Sequence, residues 1–139
     1  MLMLAPKPDK TYRQIDLDAR IEASRGGDLT VICLEEALAA LSQAVFMLDR
    51  DPARVPHEPL SRAHEIAIWL GRSVAPDNPL RGALAQFYSA LANAISANRT
   101  APSRAQLVQV RADFADLLEA CQNASKAVWK SLRHGPLRQ

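Results

Sequence analysis

The side chains able to do chemistry are few and scattered. None of His57, His64 and His134 lies four residues from another histidine, or beside a cysteine or aspartate in a ligand pattern. Cys33 and Cys121 are separated by most of the chain and sit inside apolar helical patterns, where a thiol packs as a small hydrophobe. Glu35 and Glu36 are adjacent, so a helix points them about 100° apart. They are no acid–base pair unless another helix supplies a further acid. Gly26-Gly27 lacks the lysine and the preceding strand of a phosphate-binding loop. No serine stands in a nucleophile-elbow pattern. The expectation is a protein that is not an enzyme and uses no metal and no cofactor.

Bulk charge excludes little more. The chain has 139 residues, 17 basic and 15 acidic, for a net charge of +2. That is too near neutral to imply a nucleic-acid partner. Lys126, Lys130, Arg133, His134 and Arg138 make the tail basic, which suits the negative end of a helix dipole. Met1–Leu4 is too short for a leader before Pro6 and Pro8. No uninterrupted run of roughly 18 apolar residues occurs, so no membrane insertion is expected. Two isolated cysteines fit a reducing cytosol.

The elements that would position these residues are helical. Alanine and leucine dominate, aromatics are 5%, and Val, Ile and Thr never form period-two runs. Residues 1–11 are too polar and proline-rich to build a core and read as disordered. Residues 12–23 carry Tyr12, Ile15, Leu17 and Ile21 among charges, as a short helix or an extended arm. Gly26 and Gly27 break the chain, and Asp28 can cap the helix after it. Helices are expected over 28–49, 58–74, 79–98 and 102–127. Pro52, Pro56, Pro59 and Pro76 separate them. Asn78-Pro79 and Pro102 mark starts, with Ser103 and Gln106 at capping-box spacing as a start one residue later. Residues 12–128 thus form one bundle domain with its arm, and 129–139 a basic flexible tail.

Each helix carries a heptad-like apolar seam. The seams are Val31, Leu34, Leu38, Leu41, Val45, Leu48; Leu60, Ala63, Ala67, Leu70, Val74; Leu80, Leu84, Phe87, Leu91, Ile95; and Leu107, Val110, Phe114, Leu117, Cys121, Ala124. Four comparable seams on short loops predict an all-α, antiparallel up-down four-helix bundle.

The first helix carries more than its seam. Leu29, Ile32, Ala39, Phe46 and Met47 fall on its other side, diluted only by Glu36 and Gln43. Trp69 lies opposite the second seam, and alanines stud the third helix. Surplus apolar surface marks an interface. Three arrangements would cover it: the chain's own arm, a homodimer, or a groove for an exchanged peptide.

In the order of its elements the chain resembles the flagellin-specific secretion chaperones, the FliS family, over about residues 12–120. The likeness rests on Tyr12-Arg-Gln-Ile15-Asp-Leu17-Asp-Ala-Arg-Ile21 with the small Ala23-Ser24 stretch, then on Leu29-Thr-Val-Ile32-Cys-Leu34-Glu35-Glu36-Ala-Leu38. Phe87-Tyr88 leading to Ala97-Asn98 adds to it, as does the last helix with Val110, Phe114 and Leu117. The resemblance implies a bacterial cytoplasmic chaperone for the disordered C-terminal segment of flagellin. Such a protein prevents premature filament assembly and helps deliver its client to the flagellar export gate. The client-binding residues expected from the two readings together are Tyr12, Ile15, Ile21, Leu29, Ile32, Leu34, Phe46, Met47, Trp69, Phe87, Tyr88 and Asn98.

Overall fold

The computed structural model describes residues 27–134, with side chains over 29–123. The arm residues Tyr12, Ile15 and Ile21 therefore lie outside the described residues, as do residues 1–11. Four helices follow one another: α1 Gly27–Arg50, α2 His57–Ser73, α3 Arg81–Asn98 and α4 Arg104–His134. No strand occurs among the described residues.

The helix ends follow local chemistry. Asp51 accepts the Ala53 N–H at 3.2 Å in the α1–α2 loop. Pro59 sits in the first turn of α2, where a missing N–H costs nothing. Ahead of α3, Asn78 Oδ1 accepts the Leu80 N–H at 2.8 Å. The Arg81 N–H reaches the Asn78 carbonyl at 2.9 Å. These bonds make 78–81 a turn, so α3 begins at Arg81 and not at Pro79 as expected. At α4 the Ser103 hydroxyl accepts the Gln106 N–H at 3.2 Å, the later of the two expected starts. This helix runs on past residue 127 to His134. Its sequence holds no glycine or proline until Gly135-Pro136, so nothing stops it sooner.

The helices pack as a ring. α1 lies against α2 and α4, α2 against α3, and α3 touches α4 least. Leu34 and Leu41 from α1, Leu60 and Leu70 from α2, Ile95 from α3, and Leu107 and Phe114 from α4 are fully buried between them. Ala37, Ala40, Ala44, Ala63 and Ala67 join the same core and let the backbones of α1 and α2 approach.

Three seams run as expected over the described side chains, beyond which Ala124 lies, and one does not. On α3, Tyr88 is buried where Phe87 was expected, and Leu80 at the start of the seam is exposed. Tyr88, Leu91 and Ile95 face the core, whereas Leu80 and Phe87 lie toward α4, the neighbour that α3 touches least.

Glu35 and Glu36 interrupt the apolar sequence of α1, yet its mean hydropathy is high. Within α1, Leu29–Arg50 has a mean hydropathy of 1.7 and length enough to cross a bilayer. Half of that stretch is buried inside the bundle, and a buried core helix can meet the same length and composition.

Candidate functional site

No group of three histidines, cysteines or acids placed to hold a metal occurs among the described residues. Burial raises the Cys33 thiol above its ordinary value, and Glu36 nearby adds to this. Burial also raises the Cys121 thiol. Tyr88 is pushed up to about 12 by burial and by the neighbouring Cys121. All three shifts favour the protonated, unreactive form. The helices position apolar and structural groups instead.

Two aromatic side chains stand out from the core on neighbouring helices. Phe46 on α1 is 57% exposed and Trp69 on α2 is 41% exposed. The Arg50 guanidinium lies over the Phe46 ring, 5.7 Å from its centroid, a cation–π contact one turn away on the same helix. Met47 is half-buried beside Phe46, and Ala39 is exposed two turns earlier. On α3, Phe87 is 37% and Leu80 62% exposed.

The other expected contact residues lie deeper. Leu29 is half-buried and packs against the core. Leu34 is fully buried, which suits its place in the seam but removes it from any surface. Ile32 was expected on the outward face of α1, yet it is buried. The back of α1 is therefore open around Phe46 but closed around Ile32. Tyr88 and Asn98 are buried as well.

Asn98 is the one buried polar side chain among the described residues. Its Nδ2 donates to the Ala94 carbonyl at 2.8 Å and to Gln106 Oε1 at 2.6 Å. Its Oδ1 accepts the Ser103 N–H at 2.6 Å. In a full capping box Gln106 would reach back to the Ser103 N–H. Here Asn98 takes over that bond, so one amide ties the end of α3 to the start of α4. Its role is to hold the hairpin.

Sequence reasoning also misplaced the polar edge of α1. Glu36 and Gln43 were expected to dilute its back face, but both turn toward α2. Arg62 donates from Nη1 to both carboxylate oxygens of Glu58, at 2.7 and 2.8 Å. Its Nη2 donates to Gln43 Oε1 at 3.0 Å, and its buried Nε lies 3.4 Å from Glu36 Oε2 without a formed hydrogen bond. The Glu58/Arg62 spacing of four was the available signal for half of this network. At the other side of α1, Arg104 donates to both Asp49 oxygens. That guanidinium holds the Asp49 carboxyl below its usual range. Turning Glu36 and Gln43 toward α2 leaves the back of α1 more apolar than the sequence implied.

No protein-family profile matches the chain, and no curated protein matches it. The arrangement offers protruding aromatics on a bundle held by buried leucines and polar clasps.

Proposed function

We propose that this protein is an export chaperone that holds the disordered C-terminal segment of flagellin in the bacterial cytoplasm. Holding that segment prevents premature filament assembly and readies the client for the flagellar export gate. The observation that carries the reading is the exposure of Phe46 and Trp69, two large aromatics on adjacent helices outside a core that is complete without them. A segment that later packs into a filament bears apolar stripes that self-associate when free. Protruding rings on a helical scaffold cover such stripes in the helix-in-groove mode. Ordering the client costs free energy, so the complex forms and exchanges readily.

The finer architecture belongs to this reading. The four helices run up and down in antiparallel order, with residues 12–23 as an arm. Contacts between opposite ends support the order: Arg104 at the start of α4 meets Asp49 at the end of α1. Arg99 just after α3 bonds Ser61 near the start of α2, at 3.1 Å.

The test is seeded polymerisation of monomeric flagellin followed by light scattering. An equimolar amount of this protein halts growth if the reading is right. Unchanged growth at several-fold excess rules it out. A homodimer that uses the Phe46 face and has no client is the competing reading, and it would leave polymerisation untouched.

A further inference from the structure

Phe46 is bordered by cations. Arg50, one turn on along α1, lays its guanidinium over the Phe46 ring at 5.7 Å. Asp49, three residues from Phe46 and on the same side of α1, accepts two bonds from Arg104 at the start of α4. Arg111 also acts on Asp49, which puts it on the α1-facing side of α4, two turns beyond Arg104. Val108 lies between those two arginines on that side, half-buried against the core. The exposed Phe46 and the half-buried Val108 thus share one strip between α1 and α4, with three guanidiniums along it.

The acids nearby do not cancel those cations. Asp49 is taken by Arg104. Among the described residues neither Arg50 nor Arg111 forms an ion pair. Glu36 and Glu58 meet Arg62 on the α2 side, and Asp51 accepts the Ala53 N–H in the loop after α1. Asp113 lies two residues from Arg111, about 200° round α4, and bonds Gln109. Asp116 lies about 140° from Arg111 round the same helix. Glu35 and Glu119 stand eleven residues from Phe46 and Val108 respectively, about 16 Å along the helix axes. That distance is about two Debye lengths at physiological salt. Three arginines against one aspartate leave the strip cationic.

The chain's own ends carry no surplus of acid to match it. Residues 1–26 hold five basic and four acidic residues, and residues 124–139 hold four basic and no acidic ones. A second copy laid on the same strip would bring arginine against arginine.

We infer that the Phe46 strip seats a client stretch whose apolar anchor is flanked by carboxylates. This rests on the proposed chaperone reading and names the part of a client that the site takes. The anchor packs on the Phe46 ring and on Val108. Carboxylates one turn to either side of it bond to Arg50 and Arg111. A lysine-flanked stretch makes no such bond and is repelled, because like charges across an interface cost affinity.

Two fluorophore-labelled synthetic helices test it, alike in a leucine face and carrying glutamate or lysine one turn to either side of its centre. Anisotropy with the full chain is expected to show the glutamate-flanked helix binding about tenfold tighter at low salt. The advantage shrinks in molar salt. Arg50→Gln/Arg111→Gln erases the preference, and Phe46→Ser weakens both helices about tenfold. Arg72→Gln/Arg81→Gln, at exposed arginines flanking the α2–α3 loop, leaves the preference in place. Circular dichroism confirms folded variants. A preference that survives Arg50→Gln/Arg111→Gln, that salt leaves untouched, or that Arg72→Gln/Arg81→Gln abolishes as well, overturns the inference. So does tighter binding to Asp16→Asn/Asp18→Asn, since the chain's own N-terminal acids then fill the strip. A dimer in light scattering that Phe46→Ser abolishes overturns it too, since a second copy is then the occupant. A flagellin C-terminal peptide runs alongside. If Phe46→Ser weakens its binding but Arg50→Gln/Arg111→Gln does not, the carboxylate inference fails and the chaperone reading stands. If the peptide does not bind while the glutamate-flanked helix behaves as expected, the chaperone reading fails and the strip's preference remains.

Discussion

The rings of Phe87 and Tyr88 meet edge-on, 6.2 Å between centroids and 66° between planes, yet Tyr88 lies inside the bundle and Phe87 outside it. Gly71 on α2 lies beside Tyr88 on the inner side. A Cβ added there would make an ordinary van der Waals contact with the Tyr88 Cβ, at 3.4 Å.

Truncating the two kinds of aromatic separates folding from binding. Phe114 is fully buried, and Phe114→Ala is expected to cost about 3–5 kcal/mol in urea unfolding. Phe46→Ala, at a solvent-facing position, is expected to stay within about 0.5 kcal/mol of wild type. Equal losses at both sites would mean that Phe46 belongs to the core.

Asn98→Leu removes a fully satisfied clasp and leaves the Ser103 N–H, Gln106 and the Ala94 carbonyl without it. The expected cost is about 1–3 kcal/mol. Amide exchange is expected to rise first at the α3–α4 loop, and unchanged protection there would contradict the role assigned to Asn98.

The Asp49–Arg104 pair sets a pH dependence. The folded-state carboxyl of Asp49 is lowered, chiefly by the Arg104 hydrogen bond. Its stabilisation is therefore present above the ordinary carboxylate value and is lost as pH falls through the lowered one. Both groups are exposed, so salt screens the effect. Stability curves against pH for wild type and Arg104→Ala are expected to differ above the carboxylate range and to converge in acid. The gap should close in molar salt.

Tyr88 works at the alkaline end. Its folded value of about 12 lies above the ordinary 10, so the unfolded chain releases the phenolic proton first. That contribution to stability is complete below pH 10 and fades as pH rises toward 12. Ultraviolet titration of wild type against Tyr88→Phe should show the late-titrating phenol vanish from the difference spectrum. A phenol titrating near its free value would place the ring outside the bundle.

How much of this was legible in the sequence depended on whether one residue or two helices decided the outcome. Proline and asparagine punctuation located the helices to within a few residues, because φ restriction and side-chain caps act locally. The seams of α1, α2 and α4 were readable from periodicity. The exposure of Leu80 was not, since it depends on how far α4 stands from α3. Glu36 and Gln43 looked like dilution of an apolar face because their partner, Arg62, comes from a different helix. Phe46 and Trp69 were readable as surplus, since their own helices had no inward place for them. Ile32 shared that signal and proved buried, so amphipathic phase marks candidates for a surface without deciding which stay open.

The central claim is that Phe46 and Trp69 stand exposed in order to bind polypeptide. The most direct measurement is calorimetric titration of a flagellin C-terminal peptide into wild type and into Phe46→Ser/Trp69→Ser, at several temperatures. The account predicts saturable binding with a negative heat-capacity change for wild type, and at least about tenfold weaker binding for the folded double variant. Absence of heat with wild type, or equal affinity in the double variant, would contradict it.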